Sequence, residues 1–331
     1  MSTPAYPRTA LRVHRFAGLA PGPRLIVTGA VHGNETCGTR AIERVLADLD
    51  RGALTVVRGT LTLVPVCNPL AYAEGRRMGE RNLNRRLLPT ATPAEYEDHI
   101  ANVLCPLLAE HDALLDLHSF RSAGQPFVLR GPENNTGTLE PFAREAEERA
   151  LCAHLGVTRV VEGWMSAYAG GVARRRERQQ AAGGAPAAAA IEDPTYGIGT
   201  TEYMRSRGGY AVTLECGQHD DPAAPDVGER AIRQTLALLG LVDAAPEAPQ
   251  GPFEVLRLDT VIDRLHPDDQ FVKAWTSFDP LAEGELIARR HDGTEVRAPG
   301  PGRIVFPDPG ARAGHEWFYL ARPSTRPVWA A

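Results

Sequence analysis

Apolar runs one strand long, separated by stretches with helical spacing, limit the fold of this chain more than any other feature of it. RLIVTGA (24–30), GTLTLVPV (59–66), DALLDLHS (112–119), TRVVEG (158–163) and GYAVTLECG (209–217) are rich in Val, Leu or Ile and stop at glycine or a polar residue. That is the pattern of strands buried on both faces. Between them, NETCGTRAIERVLADLD (34–50), EYEDHIANVLCPLLAEH (95–111), TLEPFAREAEERALCAHLG (138–156) and DVGERAIRQTLALLG (226–240) carry apolar residues three and four apart. Several open on a polar residue and close on glycine, as helices do. Strands alternating with helices predict an α/β fold, a mostly parallel mixed sheet flanked by helices.

Two segments depart from the alternation. GGVARRRERQQAAGGAPAAAAIEDPTYG (170–197) reads as a flexible surface insertion, a charged run followed by Ala, Gly and Pro. DAAPEAPQGP (243–252) reads as a proline-rich linker. The expected organisation is therefore a catalytic α/β domain over residues 1–245 and a small all-β domain over 251–331, where short strands and turns follow one another.

Composition excludes several classes of function. A formal net charge of -5 offers no broad attraction for phosphate backbones, so no nucleic-acid partner is expected. No run approaches the roughly 18 apolar residues of a membrane span, and the first residues lack a long apolar core, so a cytoplasmic protein with no membrane partner is expected. Cys37, Cys67, Cys105, Cys152 and Cys216 form no CxxC pair and read as small buried hydrophobes.

The first apolar run stops at GAVHGNE, which places His32 and Glu35 three residues apart between Gly29, Gly33 and a helix start. An open parallel sheet binds ligands at the carboxyl ends of its strands, where an imidazole and a carboxylate on one face can reach one ion. Hydrolytic zinc sites take three protein ligands and leave a position for water. His118 closes another strand and supplies the third, with Asp116 two residues earlier on the same face to orient an imidazole. Glu215, the carboxylate in AVTLECGQH, is placed to handle the proton of an activated water. Asn68, Arg76, Arg77, Asn84 and Arg85 follow the second strand and bring amides and positive charge to the same rim. Arg76 and Arg81 are read as solvated charges. His219, four residues past Glu215, either lines the crevice or caps the strand end.

The ordered motifs GAVHGNE, NPLAYAEGRRMGERNLNRRL, DLHS and TLECGQH resemble the succinylglutamate desuccinylase/aspartoacylase family of zinc hydrolases, relatives of the zinc carboxypeptidases. The resemblance covers roughly residues 20–240 and extends to the β tail. It implies one Zn2+ per chain on His32, Glu35 and His118, Glu215 as general base, and Arg77 polarising the scissile carbonyl. Asn84 and Arg85 match the residues that hold a substrate carboxylate, and Asn68 stands beside them. Relatives often carry aspartate, in DLNR, where this chain has Asn82. The implied activity is hydrolysis of the amide bond of a small N-acyl amino acid or related N-acyl amine, in amino-acid metabolism. The alternatives are a zinc carboxypeptidase acting on peptides and a metabolite-binding pseudoenzyme without turnover. The acyl group and a homo-oligomeric state stay open.

Overall fold

A computed structural model of the chain describes residues 8–181 and 193–328. The strands are β1 (His14–Ala17), β2 (Ala20–Thr28), β3 (Arg58–Val64), β4 (Ala113–Phe120), β5 (Phe127–Leu129), β6 (Arg159–Glu162), β7 (Tyr210–Gln218) and β8 (Glu254–Asp263), then β9 (Gln270–Phe271), β10 (Pro280–Leu281), β11 (Leu286–Arg289), β12 (Glu295–Arg297), β13 (Gly302–Val305) and β14 (Glu316–Pro323). The helices are α1 (Cys37–Asp50), α2 (Pro69–Ala73), α3 (Tyr96–Ala109), α4 (Glu145–His154), α5 (Trp164–Ala181), α6 (Thr200–Ser206) and α7 (Ala224–Leu238). An 11-stranded sheet runs β1-β3-β2-β4-β7-β5-β6-β8-β14-β13-β10, and β12, β11 and β9 form a 3-stranded one.

The α/β class is as the alternation predicts. β2 runs parallel to β3 and β4, and β4 parallel to β7. Successive residues of a strand face opposite ways, and the two helical layers follow from that. Leu25 and Val27 of β2, Leu115 and Leu117 of β4, and Val212 and Leu214 of β7 pack under Ile42 and Val45 of α1 and Ile232 and Leu236 of α7. Ile26, Leu114 and Ala211 face the other way, under Ile100, Leu104 and Leu108 of α3 and Met204 of α6. The charged residues of β4 and β7 belong to this second face. Asp116 and His118 share the parity of Leu114, and Glu215 shares that of Ala211.

Two expectations change. Residues 170–181 are not a surface loop but the second half of α5, while 182–192 lie outside the described residues. Their arginine run is not free in solvent: Arg175 and Arg178 both bind Asp263 of β8, at 2.6 Å each. Gly171 lets α5 approach β8, because a Cβ there would stand 2.5 Å from Val261 Cγ1. Second, the residues beyond the proline-rich stretch are strands, yet they prolong the main sheet. β8 pairs in parallel with β6 and antiparallel with β14, and Phe120, Phe127 and Val161 share one core with Leu256, Leu258 and Tyr319. None of the described helices is long and apolar enough to cross a membrane.

Candidate active site

The turn between β2 and α1 depends on two glycines. At Gly29 a Cβ would meet Pro65 O at 2.8 Å, and at Gly33 the Ala71 carbonyl carbon at 2.0 Å, so a side chain at either would push α2 and its approach away. α1 begins at Cys37 rather than at Asn34, so His32 and Glu35 sit in the turn ahead of the helix, with Glu35 N donating to His32 O at 3.1 Å.

Both imidazoles reach Glu35 through Nδ1. His32 Nδ1 is 2.8 Å from Glu35 Oε1 and His118 Nδ1 is 2.8 Å from Glu35 Oε2. One ligand atom from each residue falls within 4.8 Å of the others, and all are buried. The outer nitrogens are held in turn. His118 Nε2 faces Asp116 Oδ2 at 2.9 Å, and His32 Nε2 faces Asn82 Oδ1 at 3.0 Å. Asp116 is itself buried and accepts from Thr28 Oγ1 at 2.6 Å and from Thr200 Oγ1. Second partners of this kind fix the ring orientation and raise the basicity of the inner nitrogen.

The electrostatics of the cluster fit a cation. Burial pushes the His32 imidazole down to about 4, helped by Arg77, so the ring is neutral and its buried Nδ1 has no aligned hydrogen-bond partner. Burial opposes charge on His118 as well, but Asp116 and Glu35 outweigh it and raise its pKa well above the usual range. Burial also works against the Glu35 carboxylate, and the two imidazoles prevail, holding it well below its ordinary value. A divalent ion on the two Nδ1 atoms and the Glu35 carboxylate would replace that proton, and the N,O donor set suits zinc.

His118 and Glu215 are register partners on adjacent parallel strands. Burial pushes the Glu215 carboxyl up to about 8, with the Glu35 charge adding, and its buried Oε2 has no hydrogen-bond partner among the described residues. A cavity of about 670 Å³ opens here, lined by His32, Glu35, Arg77, His118, Glu215 and Arg85 among others. Arg77 Nη1 donates to Glu35 Oε1 at 2.7 Å from a half-exposed side chain. Asn84 accepts from Thr200 N at 3.0 Å. Arg85 is buried, 4.8 Å over the Trp164 ring and 3.2 Å from Glu316 on β14.

Two rim residues differ from expectation. Asn68 does not line the cavity: its Oδ1 caps α2 by accepting from Ala71 N, and its Nδ2 donates to Glu97 at 2.9 Å. A proline at the first helical position makes the residue before it a natural cap. Arg81 is no solvated charge but buried against Asp98 at 2.8 Å, whereas Arg76 is exposed beside Glu74. Sequence reasoning missed Glu97, whose buried carboxylate gathers the backbone N–H groups of Gly79, Glu80 and Arg81 and so pins the arginine loop. In the sequence it is one more acid in the first turn of a helix. Trp164 and Glu316, which sandwich Arg85, gave no signal either.

The mostly parallel part of the sheet presents at its carboxyl edge a His–Glu–His cluster, a candidate metal centre, and beside it a carboxyl with a buried oxygen that has no partner among the described residues. Residues 21–162 match the model of the Succinylglutamate desuccinylase/Aspartoacylase catalytic domain. A succinylglutamate desuccinylase of Burkholderia pseudomallei is 27% identical over 93% of this chain and 82% of its own length. An N-alpha-acetyl-L-2,4-diaminobutyric acid deacetylase of Halomonas elongata is 26% identical over 82% of this chain and 72% of its own. A succinylglutamate desuccinylase/aspartoacylase structure from Rhodobacter sphaeroides shares the fold, with a TM-score of 0.70 at 17% identity over 95% of this chain and 90% of that one. Residues 21–162 thus match the catalytic domain of the succinylglutamate desuccinylase/aspartoacylase family, and most of the chain is similar to deacylases of that family.

Proposed function

We propose that this chain is a zinc-dependent hydrolase that cleaves the amide bond of a small N-acyl amino acid. What supports the reading is the meeting of two imidazole Nδ1 atoms and one carboxylate beside the unpartnered Glu215. His32, Glu35 and His118 would hold the ion, one per chain. When bound, zinc supplies a Lewis acid that lowers the pKa of a water toward ~7 and polarises a carbonyl.

The side chains account for the remainder of the reaction. Glu215 takes a proton from water as the oxygen attacks the acyl carbon, and returns it to the nitrogen as the C–N bond breaks. Arg77 donates to the carbonyl oxygen as negative charge develops, a contact worth ~3 kcal/mol in such sites. Asn84 and Arg85 hold the substrate carboxylate, Arg85 fixed by Trp164 and Glu316. Asp116 and Asn82 keep the two rings aimed inward.

Metal analysis of the purified chain and amine release from N-succinyl, N-acetyl and N-formyl amino acids test the proposal. Bound zinc and turnover that collapses in Glu215→Ala are expected. Absence of zinc, unchanged turnover in that variant, or cleavage of peptides from the carboxyl end instead would overturn it.

A further inference from the structure

The loops that follow β4 and β7 hold a polar patch beside the cluster to which the mechanism assigns no task. His219 N donates to Phe120 O at 3.0 Å, its Nδ1 lies 2.9 Å from Ser119 Oγ, and Gln218 Nε2 donates to Arg121 O at 3.3 Å. The two loops are latched together, and the half-buried ring is held in one orientation on the cavity wall. Ser119 N also donates to Glu35 Oε2 at 3.2 Å, so the ring stands one residue from the metal cluster. The other ring nitrogen, Nε2, has no hydrogen-bond partner among the described residues.

The cations that act on this ring are Arg77 and Arg121, with Glu35 and Asp220 opposing them. Arg121 also lines the cavity, largely exposed and only loosely paired, 3.5 Å from Asp308. The pair assigned to the substrate carboxylate is held elsewhere, Asn84 on Thr200 and Arg85 on Trp164 and Glu316, through contacts that include none of Ser119, Arg121 and His219. Arg85 and the His219–Arg121 patch are thus two separately held polar stations on the wall of one cavity, which the His–Glu–His cluster also lines.

We infer that His219, with Arg121, reads the acyl group and favours a chain that ends in a carboxylate over plain acetyl. This rests on the deacylase reading above. With Ser119 Oγ–H donating to Nδ1, the ring proton sits on Nε2 and donates to a terminal carboxylate oxygen. Arg121 supplies the countercharge in exchange for its weak contact with Asp308.

The test compares kcat/KM for the N-succinyl and N-acetyl forms of one amino acid. In His219→Ala and Arg121→Gln the succinyl-to-acetyl ratio falls about tenfold or more, the size of a lost hydrogen bond or ion pair to a charged group. Most of the fall appears in KM for the succinyl substrate. His219→Gln, whose amide N–H reaches the same region, recovers part of the ratio. An unchanged ratio, equal losses on both substrates, or identical ratios in the Ala and Gln variants overturn the inference while leaving the deacylase standing. If the unaltered protein releases amine from neither series, the deacylase reading falls and this subsite with it.

Discussion

Asp116→Asn isolates what a buried charge behind His118 contributes. The carboxylate is fully buried, accepts from His118 Nε2 at 2.9 Å and from Thr28 Oγ1 at 2.6 Å, and also takes the Thr200 hydroxyl. Asparagine keeps the shape. Its carbonyl can take the place of Oδ2 and accept from both the imidazole and the Thr200 hydroxyl, while its NH2 takes the place of Oδ1 and donates to Thr28 Oγ1, so only that hydroxyl has to turn. The charge alone is lost. Outer partners of metal-bound histidines are worth 10–100-fold in affinity, so zinc binding should weaken by about 1.4–2.8 kcal/mol. Folding stability should change little. Asp116→Ala is the contrast, because it leaves the His118 N–H and two hydroxyls buried without partners at ~1–3 kcal/mol each and should lower the melting temperature sharply. Competition against a chromogenic chelator gives the zinc affinity, and circular dichroism gives the melting curve. Zinc binding in Asp116→Asn within about threefold of the unaltered chain, below the range expected of such partners, would refute the role assigned to this carboxylate.

Three other outcomes are expected. Glu215→Gln should reduce amine release by about 10²–10⁴-fold, the usual contribution of a positioned acid–base group, while metal analysis still finds zinc. In the metal-free protein that variant should also become more stable relative to the unaltered chain as pH rises. Burial pushes the Glu215 carboxyl up to about 8 from an ordinary 4.5, so between those values the folded chain holds a proton that the unfolded chain has released and stability falls with pH, a slope the glutamine removes; parallel melting curves for the two proteins from pH 5 to 8.5 would contradict this. Glu97→Gln sets an amide NH2 against two backbone N–H groups of the 79–81 loop, which should destabilise by about 1–3 kcal/mol and raise KM, as denaturation and steady-state kinetics would register.

Much of this architecture could be read in advance because the relevant signals are local. The runs that became β2, β4 and β7 are apolar on both sides, and only strands covered twice need that, so their parallel pairing and the crevice at their ends followed. His32, Glu35, His118 and Glu215 each sit where such a run stops, which is why they could be singled out before their distances were known. What escaped was long-range. Glu316 is far along the chain from Arg85 and reaches it only because the sheet continues through β8 to β14. α5 was hidden by its own composition: a glycine pair and an arginine run look like loop until Val261 and Asp263 of β8 are there to receive them. Asn68 and Arg81 were misjudged because side-chain type does not say whether an amide or guanidinium faces inward to a cap or outward to a ligand.

The parallel seam between β6 and β8 sets a rule for anyone wishing to shorten the protein. A fragment ended at the proline-rich stretch would strip one flank from Val160 and Val161, leave their amides and carbonyls open to the next molecule, and remove the acid that steadies Arg85. Such a piece would sooner stick to its own kind than work as a minimal catalyst.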